Sequence, residues 1–183
     1  MSPQLTKPTV LNRRVSSLSP SMTLAIDAKA KQLKAQGVDV VNFAGGEPDF
    51  DTAQVFKDAA IKALQEGMTR YTPASGTPAI REAIAEKLKR DNGLEYTPDQ
   101  IVVTVGAKHA VFNALQVVAD EGDEVIIPAP YWLSYPEMVR MTGAKFVVVP
   151  TTASENFKLT PRALEQAITP SSKVLILNSP SNP

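Results

Sequence analysis

Three short stretches carry side chains able to work on a small charged ligand, and each follows an apolar run. The first is Val105-Gly106-Ala107-Lys108-His109, read as a strand-to-helix junction. A helix N-terminus offers backbone N–H groups without intrahelical acceptors and the positive end of the dipole, which suits a phosphate. Gly106 lets the backbone approach closely and Lys108 adds a full charge. The pattern is neither GxGxxG nor GxxxxGK[ST], so dinucleotide and nucleoside-triphosphate sites lose their main support. A plain βα turn with a solvated lysine stays open as the alternative. The second stretch is Pro128-Ala129-Pro130-Tyr131-Trp132, with the single tryptophan of the chain. Ligands of open α/β sheets bind beyond the carboxyl ends of strands, where an indole either stacks on a flat ring or plugs the loop. The third is Asn182-Pro183, where an amide can donate to a phenolate-like oxygen or a carboxylate, or simply shape a turn. A phosphate cradle, an aromatic plate and an amide at three strand exits make a conjunction that none makes alone.

The elements that must position these groups follow from periodicity and punctuation. Met22, Ile26 and Leu33 lie on one face of a helix stopped at Gly37, and Val40 to Phe43 is a short strand running into Gly45-Gly46-Glu47-Pro48. Asp51 or Thr52 can cap a helix carrying Val55, Ala59 and Leu64, closed by Gly67. Thr77-Pro78 opens a helix with Ile80, Ile84 and Leu88 in a stripe, ended by Gly93. Strands then alternate with helices: Ile101 to Val105, a helix over His109 to Ala119, Glu124 to Ile127, a helix near Pro136, Lys145 to Val149, a helix near Pro161, and Val174 to Leu177. Runs apolar on both faces fit a parallel sheet covered by helices, so the fold class is α/β and the helix stripes are expected in the core.

Composition excludes several classes. The chain has 183 residues, 19 basic against 19 acidic, no cysteine and one histidine. The balance removes the electrostatic footprint of a nucleic-acid or membrane-surface binder. Without cysteine there are no disulfides or thiolate metal sites, and one histidine argues against a metal cluster. No apolar run has the length to span a bilayer. Lys7, Arg13 and Arg14 precede any acid, but the Arg-rich amphipathic pattern of a transit peptide is missing, so the expected location is cytoplasmic.

The ordered set Gly45-Gly46-Glu47-Pro48-Asp49-Phe50, Arg70-Tyr71-Thr72-Pro73 with Gly76, Val105-Gly106-Ala107-Lys108, Tyr131-Trp132-Leu133-Ser134-Tyr135-Pro136 and Asn178-Ser179-Pro180-Ser181-Asn182-Pro183 resembles the class I/II aminotransferases of the fold-type I pyridoxal-phosphate enzymes. It is most similar to their bacterial aspartate branch, some of whose members also use prephenate. The resemblance implies a three-layer α/β/α large domain, here incomplete, over residues 46–183, with residues 1–45 belonging to the small domain. It implies pyridoxal 5'-phosphate as cofactor, with Gly106, Ala107 and Lys108 at its phosphate, Trp132 stacked on its ring, Asn182 at its phenolic oxygen, and Tyr71 reaching the phosphate of a neighbouring subunit in a homodimer. Gly46, Trp132 and Asn182 would also meet the substrate, while Ser21, Thr23 and Lys108 resemble the group that recognises a distal carboxylate. The partners implied are an amino acid and a 2-oxo acid, with no metal.

No catalytic residue is assigned in this chain. None of Lys29, Lys57, Lys62, Lys87, Lys89, Lys145 or Lys173 stands in the family's Schiff-base context, and the chain ends just past a strand. It is therefore expected to be the N-terminal part of a longer enzyme, a transaminase of aspartate. A lyase or decarboxylase on the same scaffold and a non-catalytic binding or dimerisation module remain the alternatives. His109 reads as a polar first-turn residue, and Glu47 and Asp49 as loop-shaping acids. Residues 1–183 alone should neither transaminate nor hold the cofactor tightly, because the covalent attachment is missing. Expressing the chain, adding the cofactor, removing the excess and measuring bound absorbance and aspartate-dependent amino transfer checks this; a folded chain showing both would overturn it.

Overall fold

In the computed structural model, residues 11–43, 45–46 and 48–182 are described; Lys7, Glu47 and Pro183, named above, lie outside them. The helices are α1 (Arg13–Ser16), α2 (Met22–Ala35), α3 (Gln54–Gln65), α4 (Pro78–Asn92), α5 (Gly106–Val118), α6 (Ser134–Thr142) and α7 (Pro161–Ala167), and the strands are β1 (Glu124–Ala129), β2 (Lys145–Pro150) and β3 (Ser172–Leu175). Two compact units result, Met1–Gly46 with Asn113–Pro183, and Glu47–Phe112, so the division falls inside α5.

The first unit is built on a parallel sheet in the order β2-β1-β3. β1 is central: it pairs from Glu124↔Lys145 to Ala129↔Pro150 on one side and from Glu124↔Ser172 to Ile126↔Leu175 on the other, with a register shift after Glu124. Its Val125, Ile126 and Ile127 are 0%, 2% and 1% exposed, so both faces of the strand are covered, as the continuous apolar run requires. α6 contributes Tyr135, Met138 and Val139 to this core. Its end is set by Gly143 at φ 91, and the buried Thr142 hydroxyl donates to Val139 O and accepts from Ala144 N. α7 begins with Pro161 after Thr160, whose Oγ1 accepts Ala163 N at 3.2 Å.

At the amino ends of the strands sits a buried carboxylate. Glu124 accepts Lys145 Nζ at 2.8 Å and Thr169 Oγ1 at 2.7 Å, tying β1 to β2 and to the turn that enters β3. Beside it Asp123 accepts Asp120 N at 2.9 Å and Lys173 Nζ at 3.1 Å. The hydrogen bond from Lys145 above all holds the Glu124 carboxyl below its ordinary value, helped by Thr169. Asp123 is lowered mainly by the backbone bond to Asp120 and then by Lys173.

In the second unit α4 opens at Thr77-Pro78 and closes at Gly93 in the left-handed conformation, both as the sequence predicts. Arg81 reaches from it to Pro98 O at 3.1 Å, and Val103 N donates to Ser75 O at 3.0 Å. Gly76 has φ +100, and a Cβ there would lie 2.7 Å from Val103 Cγ2, so this turn needs glycine for both backbone and space.

Several expectations are corrected. Val40–Phe43 and Ile101–Val105 form no ladder among the described residues; they run outside any strand because a strand needs a hydrogen-bonded neighbour. Asn42 donates to Asp27 Oδ1 instead, at 2.8 Å, which fastens the first of them to α2. The strand expected at Val174–Leu177 starts earlier, at Ser172. α3 is not capped by Asp51 or Thr52 but starts after Ala53 without a side-chain cap, because the Asp51 carboxylate is taken by Thr52 N and Lys57 Nζ. α5 starts at Gly106 and α6 at Ser134, each before its expected first residue. The helix stripes are not all core: Met22, Ile26, Val55 and Leu64 are exposed, since no described element covers those faces.

The Glu124 linkage sets a pH dependence. A carboxyl lowered on folding contributes stability above its unfolded pKa, about 4.3, and loses it as pH falls through the folded value. Glu124→Gln should lower the melting temperature near neutral pH, and its difference from the parent should shrink as pH falls from about 7 to about 3. Thermal unfolding followed by circular dichroism across that range checks it.

Candidate active site

The Gly106 turn is shaped by its own neighbours. Gly106 takes φ +78, its N–H donates to Thr104 O at 2.9 Å, and Thr104 Oγ1 donates to Gly106 O at 3.0 Å. His109 Nδ1 accepts Val105 N at 3.3 Å from the first turn of α5, so the histidine is a polar first-turn residue as read from the sequence. Gly106, Ala107 and Lys108 are exposed at the N-terminus of this 13-residue helix. A Cβ built on Gly106 meets nothing within 4 Å, so there is open space beside Gly106 at the start of the helix. An oxyanion such as a phosphate fits that opening. Tyr71, in the same unit, is fully exposed.

In the other unit, the chain leaving β1 and the chain leaving β3 line a common cleft of about 250 Å³ with Tyr131, Tyr135, Phe157, Asn178 and Ser181 on its walls. Both loops contain cis X–Pro bonds, Ala129-Pro130 and Ser179-Pro180. The cleft lies at the carboxyl ends of the strands, where an open α/β sheet places its ligands. Trp132 and Asn182 are not among its lining residues. Trp132 is half-buried and meets Tyr135 edge-on, with ring centroids 5.4 Å apart at 89°, which fixes the orientation of the indole. Asn182 and Gly46 are exposed. Ser21 caps α2, its Oγ accepting Leu24 N at 3.3 Å, and Thr23 is half-buried in the first turn of that helix.

The structure thus joins the strand exits of β1 and β3 in one unit, and keeps the Gly106 turn and Tyr71 in the other. Sequence reasoning missed Thr104, whose hydroxyl two residues before a glycine is a recognisable turn signal. It also missed the walls Tyr135 and Phe157, whose helical and loop positions gave no local sign of the cleft. Among the described residues no group of three or more His, Cys, Asp or Glu could hold a metal, and no helix is long and apolar enough to cross a membrane.

Residues 38–183 match the family model described as aminotransferase class I and II. The chain is 57% identical over 173 residues to an aspartate aminotransferase of Geobacillus stearothermophilus, covering 94% of this chain and 44% of the relative. It is 52% identical over 173 residues to an aspartate/prephenate aminotransferase of Thermus thermophilus, covering 94% of this chain and 45% of the relative. A solved structure, an aspartate aminotransferase from Thermus thermophilus with maleate, superposes with a TM-score of 0.91 at 52% identity over 95% of this chain and 46% of that one. The chain therefore spans under half the length of the curated relatives it matches, 44% of the first of them. The α/β architecture expected from the sequence is that of these solved neighbours.

Gly106→Ala tests the turn. The methyl group has room, so only the left-handed backbone is penalised, at roughly 1–2 kcal/mol. Asparagine tolerates that conformation better. Denaturant unfolding should show Gly106→Ala losing more stability than Gly106→Asn; equal losses would mean that glycine supplies something other than its φ.

Proposed function

Because the chain belongs to the class I and II aminotransferase family, we propose that the whole protein is a pyridoxal-phosphate-dependent aspartate aminotransferase. It moves the amino group between an amino acid and a 2-oxo acid. The observation that carries this reading is the Gly106 turn: an exposed helix start with open space beside its left-handed glycine and Lys108 in the first turn. When bound, the cofactor supplies an electron sink for the substrate's α-carbon. The residues of this chain bind and orient. Gly106, whose own N–H goes to Thr104 O, would let the phosphate approach the turn closely, while Ala107 and Lys108 would hold it through backbone N–H groups, the helix dipole and a full charge. Trp132, its plane set by Tyr135, offers the flat surface for the ring. Asn182 donates to the phenolic oxygen and, with Gly46, helps seat the α-carboxylate. Ser21 still has its hydroxyl proton to donate, since Leu24 N uses only an acceptor position. Ser21, Thr23 and Lys108 together select a second, distal carboxylate. Tyr71, fully exposed, suits a side chain that reaches the phosphate held by a second subunit of a homodimer. The protein works in the cytoplasm on free amino and oxo acids.

Removing Lys108 tests the substrate assignment. In the whole enzyme Lys108→Ala should lower kcat/KM for aspartate by roughly ten- to a hundredfold more than for an apolar amino acid, the worth of one charge-assisted hydrogen bond. Steady-state kinetics on both substrates decides. Equal losses would leave Lys108 a phosphate ligand only.

A further inference from the structure

We propose that Glu137 is a positioning residue for substrate selection, holding the segment between α1 and α2 so that Ser21 and Thr23 are presented in a fixed place; this rests on the reading of those two residues given above. One carboxylate oxygen of Glu137, Oε2, accepts Ser19 N at 3.1 Å, across 118 positions of sequence. The other, Oε1, accepts Arg140 Nη1 one turn further along α6. The Arg140 guanidinium in turn lies over the Phe146 ring, 5.0 Å from its centroid. Phe146 belongs to β2 and pairs with Val125, which is fully buried in the central strand. A continuous path therefore runs from the sheet through Phe146, Arg140 and Glu137 to a backbone amide of the N-terminal segment.

An i, i+3 ion pair of this kind ordinarily serves only its own helix. Here the carboxylate is half-buried, 27% exposed, its helix is locked into the core by Pro136 and Met138 on either side of it, and its second oxygen is turned to a distant main chain. α1, immediately before Ser19, also packs on α6. Between Ser19, which carries the anchored amide, and Ser21 lies one residue, Pro20, whose ring fixes φ. Few torsions separate the latch from the hydroxyl it positions. Without that bond the exposed stretch around Ser21 would present its hydroxyl over a range of places, and ordering it would be charged to substrate binding.

The test uses the cofactor-loaded, full-length enzyme with Glu137→Ala, Glu137→Gln, Ser21→Ala and Thr23→Ala. Amide hydrogen exchange without substrate should quicken across residues 17–21 in Glu137→Ala and not in β1. Glu137→Gln, which keeps an oxygen for Ser19 N–H, should restore most of the protection. For aspartate, KM should rise about tenfold in Glu137→Ala with kcat within about twofold, the lower end for one charge-assisted bond. Unchanged exchange would overturn the latch. Faster exchange with an unchanged KM, while Ser21→Ala raises it, would overturn the role in selection. If Ser21→Ala and Thr23→Ala both leave the aspartate KM unchanged, the reading of those hydroxyls fails and takes this proposal with it. The exchange result then tells whether the latch itself survives.

Discussion

The central strand β1 holds the first unit together because both its edges and both its faces are occupied at once. Parallel pairing to β2 and β3 uses its backbone groups on either side, and α6 supplies apolar cover for side chains that have almost no exposure. Parallel neighbours cannot be joined by a tight hairpin, so each connection must cross over through a helix. α6 makes the crossover from β1 to β2, and α7 carries the chain from β2 across β1 to β3. A carboxylate at the amino end of β1 would be costly to bury alone. Glu124 is tolerated because an ammonium from β2 and a hydroxyl from the turn into β3 both point at it.

What that sheet secures is the geometry at its other end. The loops leaving β1 and β3 are brought side by side by the pairing of the strands they follow, and the cleft lined by Tyr131, Tyr135 and Asn178 is a consequence of that register. Polar groups at strand exits can point at a ligand without breaking the ladder below them. The Gly106 turn obeys the same logic in the other unit. It is held by Thr104, by its own amide and by His109, all within six residues, so local hydrogen bonds shape the opening while the helix provides the field.

The apolar faces of α2 and α3 show the limit of patterning. Their stripes have helical spacing, and the helices formed, but Met22, Ile26, Val55 and Leu64 face solvent. Spacing decides which face of a helix is apolar; it does not supply the surface that covers it. The same holds for Ile101–Val105, whose residues have strand character and, among the described residues, one ladder-like bond, from Val103 N to Ser75 O.

The sequence by itself determined the α/β class, the order of the helices from α2 onward and of the strands β1, β2 and β3, the positions of the helix stops at Gly37, Gly67 and Gly93, and the family carried by five ordered motifs. These are local properties: a left-handed glycine, a proline at a helix start, an apolar run and a glycine turn opening a helix are written within a few residues. Tertiary structure alone decided the strand order β2-β1-β3, the burial of Glu124, the walls of the cleft, and the bond from Glu137 to Ser19. Each of these joins residues far apart in the chain. Local propensity cannot specify such pairings, because their energy exists only after the sheet has brought the partners within reach.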